Sequence, residues 1–279
     1  MNDPIAIFDS GVGGLSVLRH ISTLLPHENI LYLADQAHVP YGPRSAAQIQ
    51  EFAQTIVQFL LGQRAKIIVV ACNTASAAAL MHLRQAFPQM PIVGMEPAVK
   101  PAAAQTKNGK VGVLATAVTF QSYRYADLMT RFAQNITVYE DPCAGLVDLI
   151  EAGHIHAPQT RQLLRPILAP MLAANIDTLV LGCTHYPFVQ PLLAEMVGTA
   201  VTIIDPAPAV ARQTARILQQ HHLLATPVPS RQIRLLTTGD KTALQQFASQ
   251  VLTGEFVVET AVWQTNYSIT QLPNYPHPV

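Results

Sequence analysis

Ile67-Ile68-Val69-Val70-Ala71-Cys72-Asn73-Thr74, running into Ala75-Ser76-Ala77-Ala78-Ala79-Leu80, reads as a buried strand that turns directly into a helix. A short β-branched run without polar alternation is the pattern of a parallel strand covered on both faces. It ends in a thiol, an amide and a hydroxyl, and an alanine-rich segment follows at once. Such a junction puts all three groups at the carboxyl end of a strand and the N-terminus of a helix, where open α/β sheets bind ligands. The arrangement returns 111 positions later as Thr178-Leu179-Val180-Leu181-Gly182-Cys183-Thr184-His185, before Tyr186-Pro187.

Working outward, strands alternate with amphipathic helices. Ile5–Phe8 is a strand, and Asp9-Ser10-Gly11-Val12-Gly13-Gly14 turns it into a helix. Ile30–Leu33 is a second strand, ending in Ala34-Asp35. Ser45 and Gln48 form a capping box for a helix with Ile49, Phe52, Ala53, Ile56, Val57 and Leu60 on one face. Val111–Thr116 lies 106 positions after Ile5–Ser10, and Ile136–Tyr139 lies 106 after Ile30–Leu33. Pro97-Ala98-Val99 recurs at 111 as Pro208-Ala209-Val210. The shift from 106 to 111 predicts five extra residues between the second and third strands of the second half. The expected fold is α/β: two pseudo-symmetric parallel-sheet domains with the active site in the cleft between them. Residues 1–97 with 208–265 form the first domain, discontinuous and carrying Cys72. Residues 98–207 form the second, carrying Cys183, and 266–279 read as a proline-rich tail.

Composition narrows the function. Lys+Arg and Asp+Glu both number 17 in 279 residues, so no basic face favours nucleic acid. No apolar run approaches the ~20 residues of a membrane span. Three cysteines without regular spacing argue against a disulfide framework and for a reducing cytoplasm. CxxC and HExxH are absent, so no metal site is expected. Gly11-x-Gly13 with Asp35 downstream partly imitates a dinucleotide fingerprint. Ser16 replaces its last glycine, however, and Asp9 would repel a pyrophosphate.

A helix N-terminus favours thiolate. One thiol with a histidine would point to nucleophilic catalysis. Two thiols related by an internal repeat point to a symmetric task, the simplest being proton transfer on and off both faces of one carbon. Asp9, Glu151 and His185 are the nearby proton carriers. Backbone N–H groups and small polar side chains would hold carboxylates and stabilise a carbanion, with closure of the domains excluding water. Cys143, in Asp141-Pro142-Cys143-Ala144, has no strand-end twin and reads as a small core residue.

At Asp9–Val17, Pro40-Tyr41-Gly42, Ala71–Ala75, Leu149-Ile150-Glu151-Ala152-Gly153 and Leu181–Pro187 the sequence resembles the cofactor-independent aspartate/glutamate racemases, and glutamate racemase most closely. The resemblance extends from the start to about Val262 and implies flavodoxin-like domains. It implies interconversion of L- and D-glutamate without pyridoxal phosphate or metal, supplying D-glutamate for peptidoglycan and cell shape. Cys72 would take the proton from D-glutamate and Cys183 from L-glutamate, assisted by Asp9 and by Glu151 with His185 respectively. Substrate contacts would come from Asp9, Ser10, Tyr41, Gly42, Asn73, Thr74, Thr184 and His185, with Thr116 and Thr119. A homodimer is implied. So is constitutive activity, since the sequence starts at its first strand without the extension of precursor-activated forms. Three other readings stand beside this one: racemisation of aspartate or another amino acid, a two-lobed protein that binds a dicarboxylate without chemistry, and a one-cysteine relative performing decarboxylation or hydrolysis, against which the presence of both thiols counts.

Overall fold

The computed structural model describes residues 3–226 and 231–261. The expected tail at 266–279 lies outside the described residues. Contacts divide the chain into two units, Met1–Met95 with Ala207–Val279, and Glu96–Pro206.

The first unit opens with β1 (Ile5–Asp9), α1 (Leu15–Leu24), β2 (Ile30–Ala34), α2 (Ala46–Gly62), β3 (Ile67–Val70), α3 (Asn73–Ala86) and β4 (Ile92–Val93). Every residue of β1, β2 and β3 is buried. Burial on both faces explains why these strands are continuous apolar runs. The Ser45 capping box forms as expected: the hydroxyl accepts Gln48 N–H, and the Gln48 side chain accepts the Ser45 N–H. Ile49, Ala53, Ile56, Val57 and Leu60 make the buried face of α2.

The second unit contains α4 (Val99–Gln105), β5 (Lys110–Ala115), α5 (Ala117–Phe120), α6 (Tyr123–Phe132), β6 (Thr137–Asp141), α7 (Leu146–Glu151), α8 (Pro158–Ala173), β7 (Thr178–Gly182), α9 (Gln190–Val197) and β8 (Thr202–Ile204). The chain then returns to the first unit through α10 (Ala207–Gln220), β9 (Ile233–Thr237), α11 (Lys241–Val251) and β10 (Val257–Thr260). Buried Val210, Ala211, Thr214 and Leu218 line α10, which packs against α1.

The sheets run β10-β9-β2-β1-β3-β4 and β6-β5-β7-β8, and all pairings are parallel. The order β2-β1-β3-β4 is therefore repeated as β6-β5-β7-β8. In each half the order in which strands are added reverses between its first and third strands, and this switch point is where α/β folds bind ligands.

Strand register corrects the predicted insertion. Ile5 pairs with Ile30 and Ile67, so those strands start 25 and 62 positions later. Val111 pairs with Val138 and Thr178, at 27 and 67. Two of the five extra residues thus precede the second strand and three follow it. Ile136, taken as the partner of Ile30's position, lies just before β6 and packs against the apolar cluster of Val111, Val113, Tyr125 and Val180. Ile136 packs partly buried against that cluster outside the ladder, and pairing with β5 starts at Thr137.

Candidate active site

In the first unit the site residues gather at the carboxyl ends of β1, β2 and β3. Ala71 N–H donates to Phe8 O at 2.8 Å and Asp35 N–H to Asp9 O at 2.9 Å, extending the ladder one residue past each strand. Asp9, Ser10, Asp35 and Cys72 are brought side by side and buried. Gly14 makes this possible: a Cβ there would lie 2.8 Å from Asp9 Cβ and 3.0 Å from the Tyr32 ring.

Cys72 is the N-cap of α3, and its sulfur accepts Ala75 N–H at 3.4 Å. The unpaired N–H groups of a first helical turn favour negative charge on an acceptor placed there. The thiol also lies 3.9 Å from Ser10 Oγ, to which it donates, and Ser10 Oγ–H donates to Asp9 Oδ1 at 3.4 Å. Gly11 N–H holds the same carboxylate oxygen at 3.3 Å. A chain thiol–hydroxyl–carboxylate results, with Ser10 standing between Cys72 and Asp9.

Asn73 and Thr74 open α3 and are buried. Both polar atoms of the Asn73 side chain lack a hydrogen-bond partner. Such a group costs about 1–3 kcal/mol, and a polar ligand is what would satisfy it. Tyr41 is buried, and Gly42 follows it in a turn. Burial, then the charges of Asp35, Cys72 and Asp9, hold the Tyr41 phenol neutral far above its ordinary range.

In the second unit β5 and β7 finish together, Ala115 opposite Gly182, so Thr116 and Cys183 are the next residues of adjacent strands. A Cβ on Gly182 would lie 2.8 Å from Ala115 Cβ and 2.9 Å from Leu114 O, so only glycine allows this approach. Thr116 and Thr119 hydroxyls are 3.0 Å apart.

The surroundings of Cys183 differ from those of Cys72, which corrects the expectation that both thiols cap helices. After Cys183 the chain makes a turn, with Tyr186 N–H donating to Cys183 O at 3.1 Å, then a 3₁₀ segment Tyr186–Val189. The α-helix starts only at Gln190. Pro187 and Pro191 carry no N–H and shape this entry. Cys183 has a histidine instead: its Sγ is 3.7 Å from His185 Nδ1, and His185 Nε2 is 2.6 Å from Glu151 Oε1. Burial opposes the imidazolium, but the hydrogen bonds and charges of Cys183 and Glu151 outweigh it and raise the His185 pKa well above the ordinary value. Gly145, at φ 85°, turns the chain into α7, at whose end Glu151 sits.

Cys143 is buried, as expected of a core residue, and burial pushes its thiol up. The structure thus forms two half-sites: Cys72 with Asp9, Ser10, Tyr41, Gly42, Asn73 and Thr74, and Cys183 with Glu151, His185, Thr184, Thr116 and Thr119. Asp35, which the sequence shows only as the end of the second strand, lies beside the first half-site. Its one visible signal was that, like Asp9, it directly follows an apolar strand.

Comparison with known proteins agrees with this architecture. The model of the Asp/Glu/Hydantoin racemase family matches residues 13–214. A glutamate racemase of Ectopseudomonas mendocina is 55% identical over 87% of this chain and 92% of its own. The structure of Escherichia coli glutamate racemase in complex with L-glutamate and activator UDP-MurNAc-ala superposes with a TM-score of 0.82 at 34% identity, covering 93% of this chain and 99% of that one. The glutamate racemase of Francisella tularensis in complex with D-glutamate gives 0.81 at 32%, covering 94% and 98%. The chain belongs to the Asp/Glu/Hydantoin racemase family.

Proposed function

We propose that this protein is a glutamate racemase that uses its two half-sites as the two bases of one proton-transfer reaction. The observation that carries this reading is the pairing of each buried thiol with its own proton carrier, Ser10–Asp9 for Cys72 and His185–Glu151 for Cys183. The solved relatives bound to L- and D-glutamate support glutamate as substrate.

With L-glutamate, the Cys183 thiolate takes the Cα proton, and the electron pair left on carbon delocalises into the carboxylate. The Cys72 thiol gives its proton to the opposite face, producing D-glutamate. Cys183 is then a thiol and Cys72 a thiolate, the state that accepts D-glutamate and runs the reverse reaction. To reset the pair for another L-glutamate, Cys183 gives up its proton through His185 to Glu151, and Cys72 regains one through Ser10 from Asp9.

The Cα–H bond is a far weaker acid than a thiol, so the thiolate must be made more basic and the carbanion stabilised. Both thiols are buried, at 4% and 6% exposure, and a thiolate stripped of water is a stronger base. Asn73, Thr74, Thr116, Thr119 and Thr184, with Tyr41 and Gly42 alongside, supply groups to hold the substrate's charged ends. Pyridoxal phosphate and metal have no part in this scheme. By resemblance to its family the enzyme works as a cytoplasmic homodimer, and its D-glutamate feeds peptidoglycan synthesis.

Circular dichroism on L- and D-glutamate without added cofactor is the test. Both enantiomers lose their signal, and in deuterium oxide the product carries deuterium at Cα. No loss of signal rejects racemisation, and racemisation without deuterium in the product rejects the two-thiol scheme.

A further inference from the structure

Three side chains converge on Asp35, a carboxylate that the proton transfer described above does not use. Tyr41 Oη donates to Oδ2 at 2.6 Å, Thr238 Oγ1 donates to Oδ1 at 2.9 Å, and His38 Nδ1 lies 2.9 Å from both oxygens. Asp35 is 1% exposed. A buried carboxylate is tolerated only when hydrogen bonds fill its lone pairs; here His38 and Tyr41 come from the loop after β2 and Thr238 from the end of β9. Thr238 follows β9 and accepts Ala37 N–H at 3.0 Å, so the far strand also fixes the backbone after Asp35. Phe52 of α2 backs the group, stacked on His38 at 4.1 Å and tilted against Tyr41 at 5.8 Å.

The segment held this way, Val39–Gly42, borders the Cys72 half-site. Tyr41 is buried and feels the charges of Cys72 and Asp9 as well as Asp35. A phenol has one proton to give, and Tyr41 gives it to Asp35. No proton is left for a substrate carboxylate.

We infer that Asp35 is a positioning residue of the Cys72 half-site: it anchors Tyr41, which serves the site with its ring and backbone and not with its hydroxyl. Only the kinetic part of the test rests on the racemase reading.

The test is a double-mutant cycle of Asp35→Asn and Tyr41→Phe in the full chain, read two ways. Iodoacetamide alkylation, mapped by peptide mass spectrometry, follows Cys72 with Cys183 and Cys143 as internal references. Each single variant is expected to speed Cys72 alkylation several-fold and leave Cys183 unchanged. The double variant should match Asp35→Asn within about twofold, because the hydroxyl acts only through the carboxylate. In racemisation the two single variants should show the same split between kcat and KM, with kcat lowered about 10-fold by misplacement of the segment.

Effects that multiply in the double variant overturn the inference. So does a rise in KM for Tyr41→Phe that Asp35→Asn does not share. Cys143 belongs to the other unit, so loosening of the first unit as a whole is read as a fall in Tm, and the cycle is then run with Thr238→Val in place of Asp35→Asn. An intact alkylation cycle in a protein without racemase activity rejects the function and keeps the anchor. Unchanged Cys72 alkylation in an active racemase rejects the anchor and keeps the function.

Discussion

His185 Nε2 stands 2.6 Å from Glu151 Oε1, while Nδ1 of the same ring faces Cys183 Sγ at 3.7 Å. The imidazole bridges a carboxylate and a thiol, and these two partners raise its pKa against the effect of burial. A histidine whose folded pKa is raised stabilises the fold fully below its unfolded pKa of about 6.5. That contribution is lost as pH rises through the folded value. The Tm difference between wild type and His185→Gln should therefore be widest near pH 6 and narrow on the alkaline side. A difference that grows with pH contradicts the assignment. Turnover in His185→Gln should fall by about 10²–10⁴-fold, the usual worth of a positioned acid–base group.

Cys72 and Cys183 are expected to be separately indispensable. Cys72→Ser and Cys183→Ser should each lower racemisation at least about 10³-fold, since a serine hydroxyl is a far poorer base at neutral pH. Equilibrium binding of glutamate, measured by calorimetry, should change much less. A variant of either thiol that keeps turnover would reduce the mechanism to a single base.

Asn73 separates binding from stability. Its amide is buried without a hydrogen-bond partner, so Asn73→Ala should leave the protein as stable or more stable by about 1 kcal/mol, helped by alanine's helix propensity. The same change should raise KM for glutamate. Thermal unfolding and steady-state kinetics on one preparation check both signs, and a destabilised variant with normal KM would place the amide's role in the fold.

Gly14 and Gly182 hold the two half-sites by having no side chain. Gly14→Ala should displace Asp9, and Gly182→Ala should push β7 off Ala115. Each is expected to cost about 1–3 kcal/mol by overpacking and to lower kcat more than that loss of folded protein explains. Denaturant titration alongside kinetics decides this. Full activity in Gly14→Ala would mean that Asp9 does not need its present position.

What could be read from the chain and what could not follow from the range of the interactions. Strands β1, β2, β3, β5 and β7 are apolar runs buried on both faces, and their character is local. The equivalence of Cys72 and Cys183 was visible because register keeps strand ends in step. The register of β6 was not, because Ile136 is apolar yet packs outside the ladder. β8 went unremarked because only Thr202–Ile204 form it. The helix expected at Cys183 failed on Pro187 and Pro191, whose effect is to delay the α-helix to Gln190. The Asp35 cluster was hidden for another reason: Thr238 is 203 positions away, and no periodicity or spacing announces a partner at that range.

The return of the chain to its first sheet also sets an order of events during synthesis. Glu96–Pro206 is one unbroken stretch, complete as soon as it leaves the ribosome. The first sheet is not, because β2 has β1 on one side and β9 on the other. Until Ile233–Thr237 has been made, the wholly apolar Ile30–Ala34 is an open edge, and Asp35 lacks Thr238. A chain that stops short of residue 233 would expose a sticky strand able to pair with its neighbours. Nascent protein thus carries this open edge until after its second unit is finished.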